Sequence, residues 1–122
     1  MIVGIGIDII EIERIKNSVD NLGDFFLKKI LTENEIKYCL SKPNKYQHIA
    51  ARFAAKEAIY KACSSVYKLS WQEVEIFNDN DGKPNVILRN KAKEFFEGKY
   101  AILASITHSR EYAACVAILE LN

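Results

Sequence analysis

The sequence predicts an α+β fold in which a small antiparallel sheet packs on a long central helix. Three observations predict it. Residues 48–64 carry Ala50, Ala51, Ala54, Ala55, Ala58 and Ala62, and alanine is the best helix former. Residues 74–77 and 84–88 are two strand-like runs parted by Asn78-Asp79-Asn80-Asp81-Gly82, the signature of a hairpin. Residues 100–107 and 112–119 form a second pair around His108-Ser109-Arg110-Glu111.

The length of 122 residues suits one domain over residues 1–122. A domain of this size buries roughly 60–70% of its unfolded surface, enough for a real core. The 17 Lys+Arg and 16 Asp+Glu leave a net charge of +1, which argues against a nucleic-acid-coating protein. The 49% apolar content excludes disorder. No run of about 18 uninterrupted apolar residues exists, so no membrane span is expected. The opening residues are apolar but lack a basic leader, and Asp8 interrupts them early, unlike a signal peptide. Cys39, Cys63 and Cys115 are odd in number, widely spaced and without a CxxC. They read as small buried hydrophobes in a reducing, cytoplasmic setting.

Taken in order, residues 1–10 carry six β-branched residues around Gly4 and Gly6 and read as a buried strand. A helical pattern follows from Glu11, with Ile12 and Ile15 on one side. Residues 23–30 read as a second helix. Thr32 with Glu35 three residues on forms a capping box for a third, flanked by Leu31 and Ile36 as a staple. Pro43 and Asn44 break the chain before the alanine-rich helix. Residues 90–98 read as a short helix ended by Gly98.

Four constellations can carry chemistry. Asp8 closes the first strand, where a carboxylate needs a partner. It reads as a magnesium ligand or as the N-cap of the following helix. In Arg52-Phe53-Ala54-Ala55-Lys56-Glu57-Ala58-Ile59-Tyr60-Lys61, Arg52 and Lys56 share one helix face and Glu57 and Lys61 another. That pattern is either a surface helix with an ion pair between Glu57 and Lys61, or the border of a cleft. Alanines let such a helix approach other backbone, and three cations with one carboxylate suit a polyphosphate with a metal ion. Residues 78–84 form a turn that could set Lys83 and loop amides on a phosphate. Thr107 and His108 at a strand end could meet a phosphate or hydroxyl.

These segments resemble one family. GIGIDIIEIERI, RFAAKEAIYKA, FNDNDGKP and ASITHSREYAACVAILE are similar, in order and over nearly the whole chain, to the holo-acyl carrier protein synthases. These are the small, trimeric 4'-phosphopantetheinyl transferases. The resemblance implies a transferase that moves phosphopantetheine from coenzyme A to a serine of apo-acyl carrier protein in fatty acid biosynthesis. It implies magnesium on Asp8 and Glu57, catalytic roles for Asp8, Glu57 and Lys61, and a homotrimer with sites between subunits. Arg52, Lys61, Gly82, Lys83, Pro84, Thr107 and His108 match positions at the family's coenzyme A site. Arg14 matches a basic position that meets the acidic carrier protein, and Lys28 and Lys29 could extend that patch. Glu57 or a water on the metal is the candidate base.

After the central helix the family has a Gly-Thr-Gly-like turn near coenzyme A. Here residues 63–70 contain no glycine. Two other classes are to be set against the transferase. One is a non-catalytic trimer that binds coenzyme A or a nucleotide. The other is an actin-like kinase, which GIGID also resembles but which needs a much longer chain.

Overall fold

The computed structural model describes residues 1–122. Strand β1 (Ile2–Glu11) leads into helices α1 (Ile12–Leu22), α2 (Asp24–Ile30) and α3 (Glu33–Leu40). The long helix α4 (Lys45–Cys63) follows, then a 3-10 turn (Trp71–Glu73) and the hairpin β2 (Val74–Asn78) and β3 (Pro84–Leu88). Helix α5 (Asn90–Phe96) leads to strands β4 (Tyr100–His108) and β5 (Tyr112–Leu121). The strands make two antiparallel sheets, β1-β5-β4 and β2-β3. Helix α4 lies across β1 and β5. No helix is long and apolar enough to cross a membrane.

The contact of α4 with β1 is set by side-chain size. Gly4, Gly6, Asp8 and Ile10 alternate onto the α4 side of the pleat. A Cβ built at Gly4 would lie 1.9 Å from the carbonyl oxygen of Ala62, and one at Gly6 1.9 Å from that of Ala58. Only glycine fits where helix backbone approaches this closely. Ala54, Ala58 and Ala62 on the helix and Ala113, Cys115 and Ala117 on β5 are all buried. These small side chains add little apolar area each. Close packing of many atoms supplies the attraction instead.

The first strand is therefore not the buried strand its composition predicts. It is a sheet edge with its larger side chains outward: Ile5 is 67% exposed, Ile7 68% and Ile9 64%. Asp8 is not a helix cap either. Helix α1 starts four residues later, and Glu11 stands at its N-cap without a side-chain cap bond.

Beneath the other side of α4 lies a buried ion pair. Lys56 Nζ donates to Glu35 Oε1 at 2.7 Å, to the Ile30 carbonyl at 2.8 Å and to the Trp71 carbonyl at 3.0 Å. Glu35 also accepts from the backbone N–H groups of Thr32 and Ile76, both at 2.8 Å. The capping box of Thr32 and Glu35 is formed as expected. All three ammonium protons are satisfied, which is what allows a charge to be buried. Burial still pushes the Lys56 pKa down, with Glu35 opposing. Lys56 thus ties α4 to the α2–α3 junction and to the 3-10 turn, with its ammonium fully engaged.

The cysteines are free and buried. Burial pushes the thiols of Cys39 and Cys115 up to about 11 and that of Cys63 to about 12. Helix α4 begins at Lys45, ahead of the expected position 48, and α5 ends at Phe96, before Gly98.

Replacing Gly6 by alanine drives a methyl group into the Ala58 carbonyl. The expected loss is ~3 kcal/mol of unfolding free energy, read from urea denaturation. A variant as stable as the parent would show that α4 does not cross β1 at this point.

Candidate active site

Asp8 follows Gly6 on the inward side of β1 and reaches the edge of α4. There Lys61 Nζ donates to Asp8 Oδ1 at 3.3 Å and to the Ile7 carbonyl at 2.9 Å. The expected pair of Glu57 with Lys61 is replaced by this one. Lys61 is half exposed, so the pair adds well under ~1 kcal/mol to stability. Its value lies in placing an ammonium beside a carboxylate.

Glu57 stands one helical turn before Lys61 and is half-buried. Burial raises its carboxyl pKa above the ordinary range, the charge of Asp8 raises it further, and Lys61 opposes both. Asp8 and Glu57 line one cavity of about 360 Å³ with Arg14 and Ser18 of α1 and with Phe26 and Phe53. Two carboxylates that repel each other in a partly desolvated cavity form a donor set suited to a hard divalent cation, which takes oxygen ligands.

Arg52 sits elsewhere. It is buried, its guanidinium lies 4.4 Å from the centre of the Tyr38 ring, and it donates to Asn78 Oδ1 at 2.9 Å. Asn78 in turn donates to the Gly82 carbonyl at 3.0 Å. This chain of contacts joins α4 to the loop of Gly82, Lys83 and Pro84. Most loop amides are already engaged. Asp79 Oδ1 accepts from Asp81 and Lys83, and the Asp79 carbonyl accepts from Gly82, all at 2.9 Å. Those bonds hold the Asp79 carboxyl below its usual range. The Lys83 amide is thus engaged by Asp79, and its ammonium carries no hydrogen bond.

Thr107 and His108 are exposed at the end of β4. They lie toward the start of α4: burial first, then the charges of Arg52, Lys42 and His108, hold the His48 pKa down. Gln47 also donates to the Ser109 carbonyl at 3.4 Å.

The predicted residues therefore fall into two groups. Asp8, Glu57, Lys61 and Arg14 form one. Arg52, Gly82, Lys83 and Pro84, with Thr107 and His108 near the start of α4, form the other. Arg52 and Lys61 are nine residues apart, about 13 Å along the axis and roughly 180° around it. One chain does not aim both at one small ligand. Residues missed from sequence are Ser18, Phe26 and Phe53 in the first group, and Tyr38 and Asn78 around Arg52. Tyr38 is 14 residues from Arg52 and Asn78 is 26 away, so no local spacing announces them.

An antiparallel sheet crossed by an alanine-lined helix brings two carboxylates and a lysine together at the crossing. Residues 4–117 match the model of the 4'-phosphopantetheinyl transferase superfamily, and the chain belongs to that family. It is 50% identical over 119 residues to a holo-[acyl-carrier-protein] synthase of Chlamydia trachomatis, covering 96% of this chain and 98% of that one. It is 46% identical over 120 residues to the Chloroherpeton thalassium protein of the same name, covering 95% and 96%. The crystal structure of a holo-(acyl-carrier-protein) synthase from Bacillus anthracis in complex with CoA (3',5'-ADP) superposes with a TM-score of 0.79. That pair is 37% identical and covers 100% of this chain and 99% of that one.

The raised pKa of Glu57 has a sign that can be measured. Because the folded-state value is raised, its contribution is fully present below the unfolded value and is lost as pH rises through the folded one. Glu57→Gln removes that loss. Without divalent metal, the variant's urea midpoint should gain on the parent's between mildly acidic and neutral pH. A difference that does not change with pH would contradict this reading of the cavity.

Proposed function

We propose that the chain transfers the 4'-phosphopantetheine group of coenzyme A to a serine of apo-acyl carrier protein, releasing adenosine 3',5'-bisphosphate. The observation that carries this reading is the meeting of Asp8 and Glu57 in one cavity rimmed by Arg14, with Lys61 bonded to Asp8 beside it. The names of the relatives and the coenzyme A complex of the Bacillus anthracis protein support it.

The serine oxygen bonds to the β-phosphorus of the diphosphate, and the bond from that phosphorus to the bridging oxygen breaks. The electron pair leaves with adenosine 3',5'-bisphosphate. Glu57 is the candidate base for the serine proton. Lys61 holds its ammonium against a non-bridging oxygen. Asp8 keeps Lys61 in place. Asp8 and Glu57 are the residues that would hold Mg²⁺, which when bound supplies neutralisation of charge on the diphosphate oxygens. Catalysis of this kind is mostly positioning and electrostatics.

Arg52, Gly82, Lys83, Pro84, Thr107 and His108 supply the remaining coenzyme A contacts, reaching the first group from a neighbouring copy. An assembly is supported by the outer face of the larger sheet. Register sets Ile5 and Leu103 on either side of Ile118, and Ile7 beside Val116. With Leu103 56% exposed, this apolar face spans three strands, as surfaces that become interfaces do. The assembly proposed is a homotrimer. The carrier protein docks by α1 and α2, where Arg14, Lys28 and Lys29 are exposed beside Leu22 and Phe25. Local basic charge suffices to steer an acidic partner. Three free buried thiols suit a reducing compartment such as the cytoplasm.

Incubation with coenzyme A, Mg²⁺ and apo-acyl carrier protein should add one phosphopantetheine mass to the carrier. Asp8→Ala should lower the rate at least ~100-fold, in line with loss of a group that orients the reacting centre, with the circular dichroism spectrum unchanged. Coenzyme A binding without any mass gain would mark a binding protein instead, and near-normal turnover in the variant would remove Asp8 from the mechanism. Ile7→Glu should convert the trimer to monomer in sedimentation and abolish transfer. An active monomer would overturn the shared site.

A further inference from the structure

Arg52 is only 3% exposed, yet no carboxylate pairs with it. The chain's two ion pairs are Lys56 with Glu35 and Lys61 with Asp8. A guanidinium carries five N–H donors in a fixed fork. One of them, on Nη2, donates to Asn78 Oδ1 at 2.9 Å. The Nε group is buried without a partner, although buried charges are as a rule paired. Two neutral groups hold the side chain instead. The centre of the Tyr38 ring lies 4.4 Å from Cζ, and Asn78 fixes the edge of the fork. Arg52, Tyr38 and Asn78 share the wall of a cavity of about 370 Å³. Glu75 is the one carboxylate in that wall, and it is bonded to the Thr32 hydroxyl and to Asn34 Nδ2. Lys42 Nζ stands 4.9 Å from the centre of the Tyr38 ring, and the edge of His48 meets that ring at 5.5 Å.

We propose that Tyr38 and Asn78 are positioning residues for coenzyme A, two neutral supports that hold the Arg52 guanidinium in place and leave its charge to a phosphate of the ligand. The assignment rests on the transfer reading above, in which Arg52 contacts coenzyme A. A carboxylate would hold Arg52 equally well, but it would neutralise the guanidinium and compete with the incoming anion. A ring face attracts a cation through its quadrupole and carries no net charge. An amide fixes geometry in the same neutral way. Ordering an arginine costs about 2 kcal/mol of rotamer freedom, and here much of that ordering precedes the ligand. Asn78 has a second task, since its Nδ2 donates to the Gly82 carbonyl at 3.0 Å. One amide therefore sets the loop of Lys83 relative to Arg52, using an acceptor and a donor that aspartate could not both supply.

Calorimetry with coenzyme A on the full chain tests the supports without requiring turnover. Tyr38→Leu should raise the Kd about tenfold, the effect of losing a desolvated cation–π contact. Tyr38→Phe, which keeps the ring, should stay within about twofold. In an Arg52→Ala background, Tyr38→Leu should change the Kd by less than about twofold, because its effect runs through the guanidinium. Asn78→Asp should weaken binding more than Asn78→Ala, since it leaves Arg52 held but neutralised. The Asn78 pair decides the matter even if Tyr38→Leu fails to fold. Tyr38→Phe as weak as Tyr38→Leu, effects of Tyr38→Leu and Arg52→Ala that simply add, or Asn78→Asp binding as well as Asn78→Ala would each overturn the assignment. So would an Arg52→Ala variant with parental affinity. A parent chain that binds coenzyme A but converts no apo-carrier overturns the transfer reading alone, and one that binds no coenzyme A overturns both.

Discussion

The crossing of α4 over β1 is the constraint on which the site depends. Helix carbonyls occupy the space where side chains of residues 4 and 6 would stand. The same pleat then delivers Asp8 to the helix edge at the level of Glu57 and Lys61. A bulkier strand would push the helix away, and the carboxylates would part with it. Close approach and the geometry of the carboxylates are one feature here, since the spacing of the layers fixes the spacing of the charges.

The buried Lys56–Glu35 pair acts on the opposite flank of the same helix. It joins four segments through directional bonds. Removal of one partner from such a pair costs roughly 3–5 kcal/mol, although a well-packed apolar replacement of both often costs little. Its contribution is best seen as fixing the orientation of α4, with Lys56 inward and Glu57 turned toward the cavity of Asp8. Adjacent residues with opposite duties are a natural outcome of a helix that is buried on more than one side.

What was legible in the sequence was local. Alanine content announced α4, turn residues announced the hairpin, and the spacing of Thr32 and Glu35 announced a cap. Each signal acts within a few residues. What was not legible depends on contacts across the fold. Ile5, Ile7 and Ile9 read as core because β-branched runs usually are; they face outward because the inward places had to be glycine. Lys56 looked like a surface cation because its partner is 21 residues away. The loop at residues 78–84 was correctly a turn, but composition could not tell that Asp79 claims its amides. The carboxylate pair was legible through family resemblance, whereas the cavity around it, with Phe26 and Phe53, came from packing.

The buried cysteines bear on the chemistry of a thiol-bearing substrate. Coenzyme A ends in a free sulfhydryl, and exchange with protein sulfur proceeds through the thiolate. With thiol pKa values of about 11 to 12, the three side chains are almost wholly protonated near neutrality. Burial also denies an oxidised form of the substrate access to them. The protein can therefore hold a reactive sulfur compound repeatedly without forming mixed disulfides, a chemical inertness that follows from the same tight alanine-rich packing that sets the layers together.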